Sequence, residues 1–210
     1  VTETRVHLVR HGEVYNPDHV LYGRLPGFRL SELGELMAER TAEAMKDRDV
    51  TVLRTSPLER AVQTAEPFAK AYGLVAEPDG RLIESGSHFE GRVVEGWRSF
   101  ADPAALRYLR NPFEPSWGEP YVHTAKRMLA AATDARDAAS GHEALLVSHQ
   151  LPIYVLRRFV EGRPLYHRPD RRQCGLASVT TLTWRDARLV SVTYMEPAGE
   201  MSRRPVTPGA

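Results

Sequence analysis

Hydrophobic positions along the chain switch repeatedly between the period of a strand and that of a helix. Val6, Leu8 and Val9 make a short β-prone run that ends at Arg10-His11, with Gly12 free to take the backbone out of it. Residues 12–30 then form a loop rich in Gly, Pro and aromatics, long enough to be either functional or mobile. Ser31 is placed to cap a helix with Glu32 and Glu35 in its first turn and Leu33, Leu36, Met37, Ala44 and Met45 on its inner face. Val50–Leu53 reads as a buried strand. Ser56-Pro57-Leu58-Glu59 follows it with the spacing of a capping box, Pro57 at the first helical position. The predicted helix turns Leu58, Ala61, Val62 and Ala65 inward, is interrupted and kinked at Pro67, and stops at Gly73. Leu74–Ala76 is a third strand in this reading, and Leu82-Ile83-Glu84 follows after a turn.

Residues 85–118 mix Gly and Pro with six large aromatics, too many for a disordered linker, and predict an insertion packed over the sheet edge with one helix near 103–110. A longer helix from Pro120 carries Val122, Ala125, Met128, Leu129 and Ala132 toward Gly141. Ala144–Val147 is uniformly apolar, as a central parallel strand should be. It ends in Ser148-His149, and a helix opened by Pro152 and closed by Gly162 succeeds it. A basic loop from His167 to Arg172 leads to two final strands, Leu176–Thr183 and Leu189–Tyr194, and residues 197–210 read as a frayed tail. Strands alternating with helices predict α/β architecture. The expectation is one domain over 1–210, a three-layer α/β/α sandwich on a mixed, mainly parallel sheet, with a helical and aromatic cap insertion after Glu84.

Charge narrows the partners. With 28 Lys and Arg against 27 Asp and Glu, the chain has no field to draw nucleic acid, so anion binding must come from a local cluster. No apolar run approaches a membrane span and no signal-peptide pattern is visible. The single Cys174 cannot make an internal disulfide, and the expectation is a cytoplasmic protein.

The predicted strand ends deliver Arg10 and His11, then Arg60 in the first part of a helix, then His149 just before another. Helix starts offer unpaired N–H groups, and guanidinium forks match tetrahedral oxyanions, so a phosphate or sulfate site is the natural reading. Taken singly, Arg60 could merely pair with Glu59 or Glu13, and His149 could be an ordinary strand-end histidine. All four at strand ends argue for a site. Other phosphate chemistries drop out: no Arg stands six residues after Cys174, and no Walker-type loop occurs. Asp47-Arg48-Asp49-Val50-Thr51 precedes a strand, away from the binding end of the sheet. The histidines lack the spacing of a helical metal site, and no metal is expected.

Leu8-Val9-Arg10-His11-Gly12-Glu13 resembles the signature of the histidine phosphatase superfamily, the phosphoglycerate-mutase-like fold. The likeness runs in order through Gly23, Leu30–Gly34, Thr55–Ala65, Leu82–Glu84 and Val147–His149. It implies His11 as nucleophile forming a phosphohistidine, and Arg10, Arg60 and His149 holding the phosphoryl oxygens. It further implies Glu84 as proton donor and then base, with no metal or organic cofactor. Asn16 is a further phosphate-binding candidate, although it stands five residues after His11 where the family often has Asn six after. Tyr22, Gly23, Arg24 and Gln150 are candidates for contact with the rest of the substrate, Gln150 replacing a common Gly. After Glu84 the mutase motif R-H-Y-G-x-L gives way to Ser85–Gly91, nearer the phosphatase branch. The implied activity is hydrolysis of a small phosphorylated metabolite by a cofactor-independent phosphomonoesterase. A phosphoglycerate-type mutase and a non-catalytic phospho-ligand-binding module are the alternatives. An acid role for Glu84 requires surroundings that disfavour its charge, such as apolar cover from 85–118. The basic run Arg168, Arg171 and Arg172 either frames the leaving group or is solvated surface, and the surface reading is the favoured one.

Overall fold

The apolar alternation of the first segment forms strand β1 (Glu3–Arg10), which lies at the inner end of a row of four parallel strands. A computed structural model describes residues 2–88, 90–93 and 118–203. The remaining elements are α1 (Glu32–Met45), β2 (Val50–Thr55), α2 (Glu59–Tyr72), β3 (Glu77–Pro78), α3 (Tyr121–Ala138), β4 (Glu143–Ser148), α4 (Gln150–Val160), β5 (Val179–Arg185) and β6 (Arg188–Met195). The sheet order is β3-β2-β4-β1-β5-β6. β3, β2, β4 and β1 run parallel, while β5 and β6 are antiparallel additions beyond β1. This is the mixed, mainly parallel α/β fold expected.

Both faces are covered. Val6, Leu8, Ala144, Leu146 and Leu182 pack with Met128 of α3 and Ile153 and Leu156 of α4. On the other face Val9, Leu53, Leu145, Val147 and Val179 pack with Met45 of α1 and Ala61 and Phe68 of α2. β4 is buried at every position, which its unbroken apolar run required.

Several local expectations are corrected. α1 buries Gly34, Met37, Ala38, Thr41, Ala42 and Met45, while Leu36 and Ala44 face outward. Small residues line that face because α1 crowds the backbone after His11 and packs against α2. Val62 and Val122 are likewise exposed. Helix α2 begins at Glu59, with Leu58 at its N-cap and no side-chain cap, so the Ser56 capping box does not form. The Glu59 carboxylate instead accepts from the Gly27 N–H. The helix continues through Pro67 without interruption. Leu74–Ala76 is not a strand: β3 is the two-residue pair Glu77–Pro78 at the sheet edge, and Val75 is exposed. Pro78 is tolerated at this edge because the next ladder bond is given by the Asp79 N–H to the Thr55 carbonyl. Residues 197–203 do not fray, since Ala198 is buried among Met37, Leu176 and Ala177. The predicted helix near 103–110 and most of the aromatic insertion lie outside the described residues.

The loop after β1 is fastened rather than mobile. Val14 bridges Leu30, and the Asn16 amide bonds both backbone groups of Val20. Ser31 caps α1 by accepting from the Gly34 N–H, and its hydroxyl donates to Glu13. Gly34 is required by contact: a Cβ there would stand 2.0 Å from the Glu13 carbonyl oxygen. Gly34→Ala must therefore push α1 and the segment after His11 apart. Overpacking of this kind costs about 1–3 kcal/mol. Urea denaturation of Gly34→Ala should show that loss together with a fall in the activity proposed below; an unchanged midpoint would refute the wedge.

Candidate active site

Three parallel strands end side by side, and each hands a polar residue to the same place. His11 follows β1, Ser56 follows β2, and His149 follows β4, where it is also the N-cap residue of α4. Ladder bonds fix two of these exits, the His11 N–H donating to the Ser148 carbonyl and the Ser56 N–H to that of Val147. The His11 and His149 rings lie 5.1 Å apart. Arg10, the last residue of β1, and Arg60, in the first turn of α2, complete a buried cluster.

Each imidazole is oriented by a hydrogen bond. His11 Nδ1 lies 2.8 Å from the Gly12 carbonyl oxygen, which can only accept, so Nδ1 carries the hydrogen. Burial, with the charges of Arg60 and Arg10, holds His11 well below its ordinary value, against the pull of that carbonyl. The ring is neutral and its Nε2 is a bare lone pair. His149 Nε2 lies 2.7 Å from Ser56 Oγ, which itself accepts from the Leu58 N–H. The Ser56 oxygen has a second lone pair and one hydrogen; when that hydrogen is given to Nε2, His149 carries its own on Nδ1. Burial, reinforced by His11, Arg60 and Arg10, also holds His149 well below its usual value.

The guanidiniums are aimed by carbonyls rather than by carboxylates. Arg10 Nη1 donates to the Cys174 carbonyl at 2.8 Å, and Arg60 Nη2 to that of Gly23 at 2.6 Å. Arg60 also lies 4.7 Å over the Tyr22 ring, a cation–π contact. Neither of the pairings considered for Arg60 occurs, because Glu59 binds Gly27 and Glu13 binds Ser31. Arg10 Nε, Arg60 Nε, His149 Nδ1 and Tyr22 Oη are buried without a hydrogen-bond partner. Buried polar groups are ordinarily satisfied, so four in one cluster mark a ligand surface. Two guanidinium N–H donors, an imidazole nitrogen and a phenol hydroxyl suit an anionic tetrahedral group; no cluster of three or more metal-ligating side chains occurs among the described residues.

Glu84 arrives from a different kind of structure. It follows a 3-10 turn, Gly80–Leu82, whose Leu82 carbonyl accepts from the Ser148 hydroxyl at 2.7 Å, tying the segment to the end of β4. Burial raises the Glu84 carboxyl above its ordinary value, although the Ser85 N–H, Arg60, Arg172 and Arg10 pull the other way. The condition set for an acid is therefore met at this position.

The substrate-contact candidates divide. Tyr22 is in the cluster, and Gly23 serves it through its carbonyl. Arg24 sits at the rim, its Nε donating to the Glu84 carbonyl and its Nη2 to Glu119. Gln150 reaches the Cys174 carbonyl and Arg172 at 3.4 Å each. Asn16 closes the loop onto Val20, its amide nitrogen donating to the Val20 carbonyl and its oxygen accepting from the Val20 N–H. Ser56 was missed as a site residue, and Arg172 was grouped with Arg168 and Arg171, for which the surface reading was favoured over contact with a leaving group. Ser56 could have been found, since it follows a buried strand just as His11 and His149 do.

The fold and cluster define an α/β protein with a neutral histidine set among anion-binding cations. The chain belongs to the histidine phosphatase superfamily (branch 1), whose family model matches residues 6–196. A Mycobacterium tuberculosis protein of uncharacterised function, Rv0525, is 52% identical over 197 residues, covering 93% of this chain and 98% of its own. A Cronobacter sakazakii protein named "Probable phosphoglycerate mutase GpmB" is 30% identical over 214 residues, covering 94% of each. The structure of a mycobacterial glucosyl-3-phosphoglycerate phosphatase, Rv2419c, superposes with a TM-score of 0.71 at 28% identity, covering 86% of this chain and 90% of that one.

The two depressed imidazoles make stability pH-dependent. As pH falls through about 6.5, the unfolded chain binds protons that native His11 and His149 refuse. Stability present above that value is thus lost on acidification. His11→Asn should reduce the proton uptake on unfolding by about one below pH 6.5. Equal slopes of unfolding free energy against pH in wild type and variant would contradict the neutral, buried ring.

Proposed function

We propose that the protein is a cofactor-independent phosphomonoesterase that hydrolyses a small phosphorylated metabolite through phosphohistidine. The observation that carries this reading is the Gly12 carbonyl on His11 Nδ1, which leaves Nε2 as a buried lone pair among guanidiniums. Nε2 attacks phosphorus and the N–P bond forms as the bond to the leaving oxygen breaks. Arg10, Arg60 and His149 Nδ1–H hold the equatorial oxygens as charge shifts onto them. Glu84 delivers its proton to the departing oxygen. Its carboxylate then takes a proton from water, whose oxygen attacks phosphorus, breaks the N–P bond and releases phosphate. The sequence after Glu84 favours hydrolysis over isomer exchange, and the single buried Cys174 fits a cytoplasmic protein.

Rapid quenching during turnover of p-nitrophenyl phosphate should trap acid-labile phosphate on His11, and His11→Ala should lose more than about 10³-fold in kcat. Given 3-phosphoglycerate with bisphosphoglycerate primer, inorganic phosphate should outrun 2-phosphoglycerate. Dominant isomer exchange would favour a mutase, and a near-normal His11→Ala would end the covalent mechanism.

Glu84 has its own test. General acid catalysis contributes about 10²–10⁴-fold when the leaving group needs a proton. Glu84→Gln should therefore slow His11 phosphorylation far more with alkyl than with nitrophenyl phosphates in single-turnover experiments. Because the acid must be protonated, the alkyl rate should also decline as pH rises through Glu84's raised value. Equal losses with both substrate classes would reduce Glu84 to positioning the arginines.

A further inference from the structure

Glu84 hangs from a short span that two arginines grip at its ends. Arg127 of α3 donates through Nη1 to the Arg81 carbonyl at 2.5 Å, and Arg24 donates through Nε to the Glu84 carbonyl at 2.7 Å. Both guanidiniums turn their remaining donors to one carboxylate, Glu119. Arg127 forks onto its two oxygens at 2.8 and 3.0 Å, and Arg24 Nη2 reaches Oε2 at 2.9 Å. Glu119 also hydrogen-bonds Thr124, whose hydroxyl meets that of Ser85 at 3.1 Å. Burial would raise the Glu119 carboxyl, but the bonds from Arg127 and the charges of both arginines hold it below its ordinary value. The carboxylate is therefore ionised near pH 7, as the two cations require.

Glu119 is itself fastened to the segment it serves. Its N–H donates to the Gly86 carbonyl at 3.1 Å, and Gly118 bridges Ser87 beside it. A Cβ on Gly118 would collide with the Gly86 carbonyl oxygen, so the two stretches meet backbone to backbone. The result is a closed frame: loop, span and helix are joined through one carboxylate, and the span between Arg81 and Ser85 is held from three sides. None of these hydrogen bonds reaches Arg10, His11, Arg60 or His149. Ion pairs open to solvent add little to stability, and the Arg24 side chain is 39% exposed. What the frame fixes is the direction of the main chain from which the Glu84 carboxyl projects.

We propose that Glu119 is a positioning residue for the acid: by holding Arg24 and Arg127 on the Glu84 and Arg81 carbonyls, it sets where Glu84 delivers its proton. It acts only through Glu84, and the inference rests on the reading of that residue as general acid. The bidentate fork suits the task, because it fixes the angle of Arg127 as well as its distance.

Single-turnover phosphorylation of His11 by an alkyl and a nitrophenyl phosphate is compared in wild type, Glu119→Gln, Glu84→Gln and the double variant. The amide keeps the size of Glu119 but loses its charge and one of its two acceptor oxygens. Displacing a positioned group by about 1 Å can cost about 10²-fold. Glu119→Gln should therefore slow the alkyl ester at least about tenfold more than the nitrophenyl ester. With Glu84 already replaced, Glu119→Gln should remove no further alkyl selectivity. Arg127→Lys keeps the charge but has no fork to span Glu119 and the Arg81 carbonyl, and it carries the same test should Glu119→Gln fail to fold. Equal slowing of both esters, unchanged selectivity, or a second loss in the double variant would overturn the proposal. If wild type hydrolyses neither ester, or Glu84→Gln shows no alkyl selectivity, the acid reading fails on its own. Hydrogen exchange then decides the frame, because the Ser85 N–H bonds the Glu84 carboxylate at 2.8 Å and reports its position. Glu119→Gln should speed exchange at Ser85 at least about tenfold while Leu146 and Val147 of β4 keep their rates. No change at Ser85, or an equal change in β4, would overturn it.

Discussion

Positive charge buried without a matching carboxylate is the constraint on which this architecture depends. Removing an ion from water costs several kcal/mol even after relaxation, and a carboxylate partner is the usual remedy. Here the remedy would defeat the site, because a carboxylate in the cradle would compete with an anionic ligand. Carbonyls of Cys174 and Gly23 supply aim without neutralising charge. Those carbonyls belong to loops, which explains why the segments before β5 and after β1 are so heavily stitched. Burial first, and the same unneutralised charge beside it, hold both imidazoles below their ordinary values.

Much of this was legible in the chain because strand ends are written locally. Apolar runs stopping at Arg10-His11, Thr55-Ser56 and Ser148-His149 place polar residues at one edge of a parallel sheet with no knowledge of contacts. Orientation within helices was less legible. In α1 the buried face is made of Gly34, Ala38, Thr41 and Ala42, and hydrophobicity ranks Leu36 above all of them. What decides burial there is close approach to the Glu13 backbone, a steric fact with no hydropathy signal. Ser56 misled for a related reason: its spacing to Glu59 satisfied a capping rule, while its real partner, His149, lies 93 residues away. Arg172 could not be separated from Arg168 and Arg171 by sequence, since only the turn that follows His167 decides which one points inward.

The family assignment and the geometry speak to different levels. Relatives on this fold include proteins named as a mutase and as a phosphatase, so the shared frame does not choose the reaction. The residues that would choose it, Glu84 with Arg24, Gln150 and Arg172 around it, sit on turns, loops and one helix start rather than on strands.

That division has a consequence for how such a molecule tolerates change. Arg10 is paired with Ser148 across adjacent parallel strands, so the gap between the two histidines, 5.1 Å between rings, is close to the strand spacing of about 4.8 Å. The spacing of the two histidines is therefore a property of the backbone ladder and persists for as long as the sheet does. Glu84 is attached to that ladder mainly through the Ser148 hydroxyl and neighbouring turns. Insertions or exchanges in those turns can re-aim Glu84 and its surroundings while the two histidines stay in register, so the rim of the cluster can be rebuilt by editing connecting segments alone.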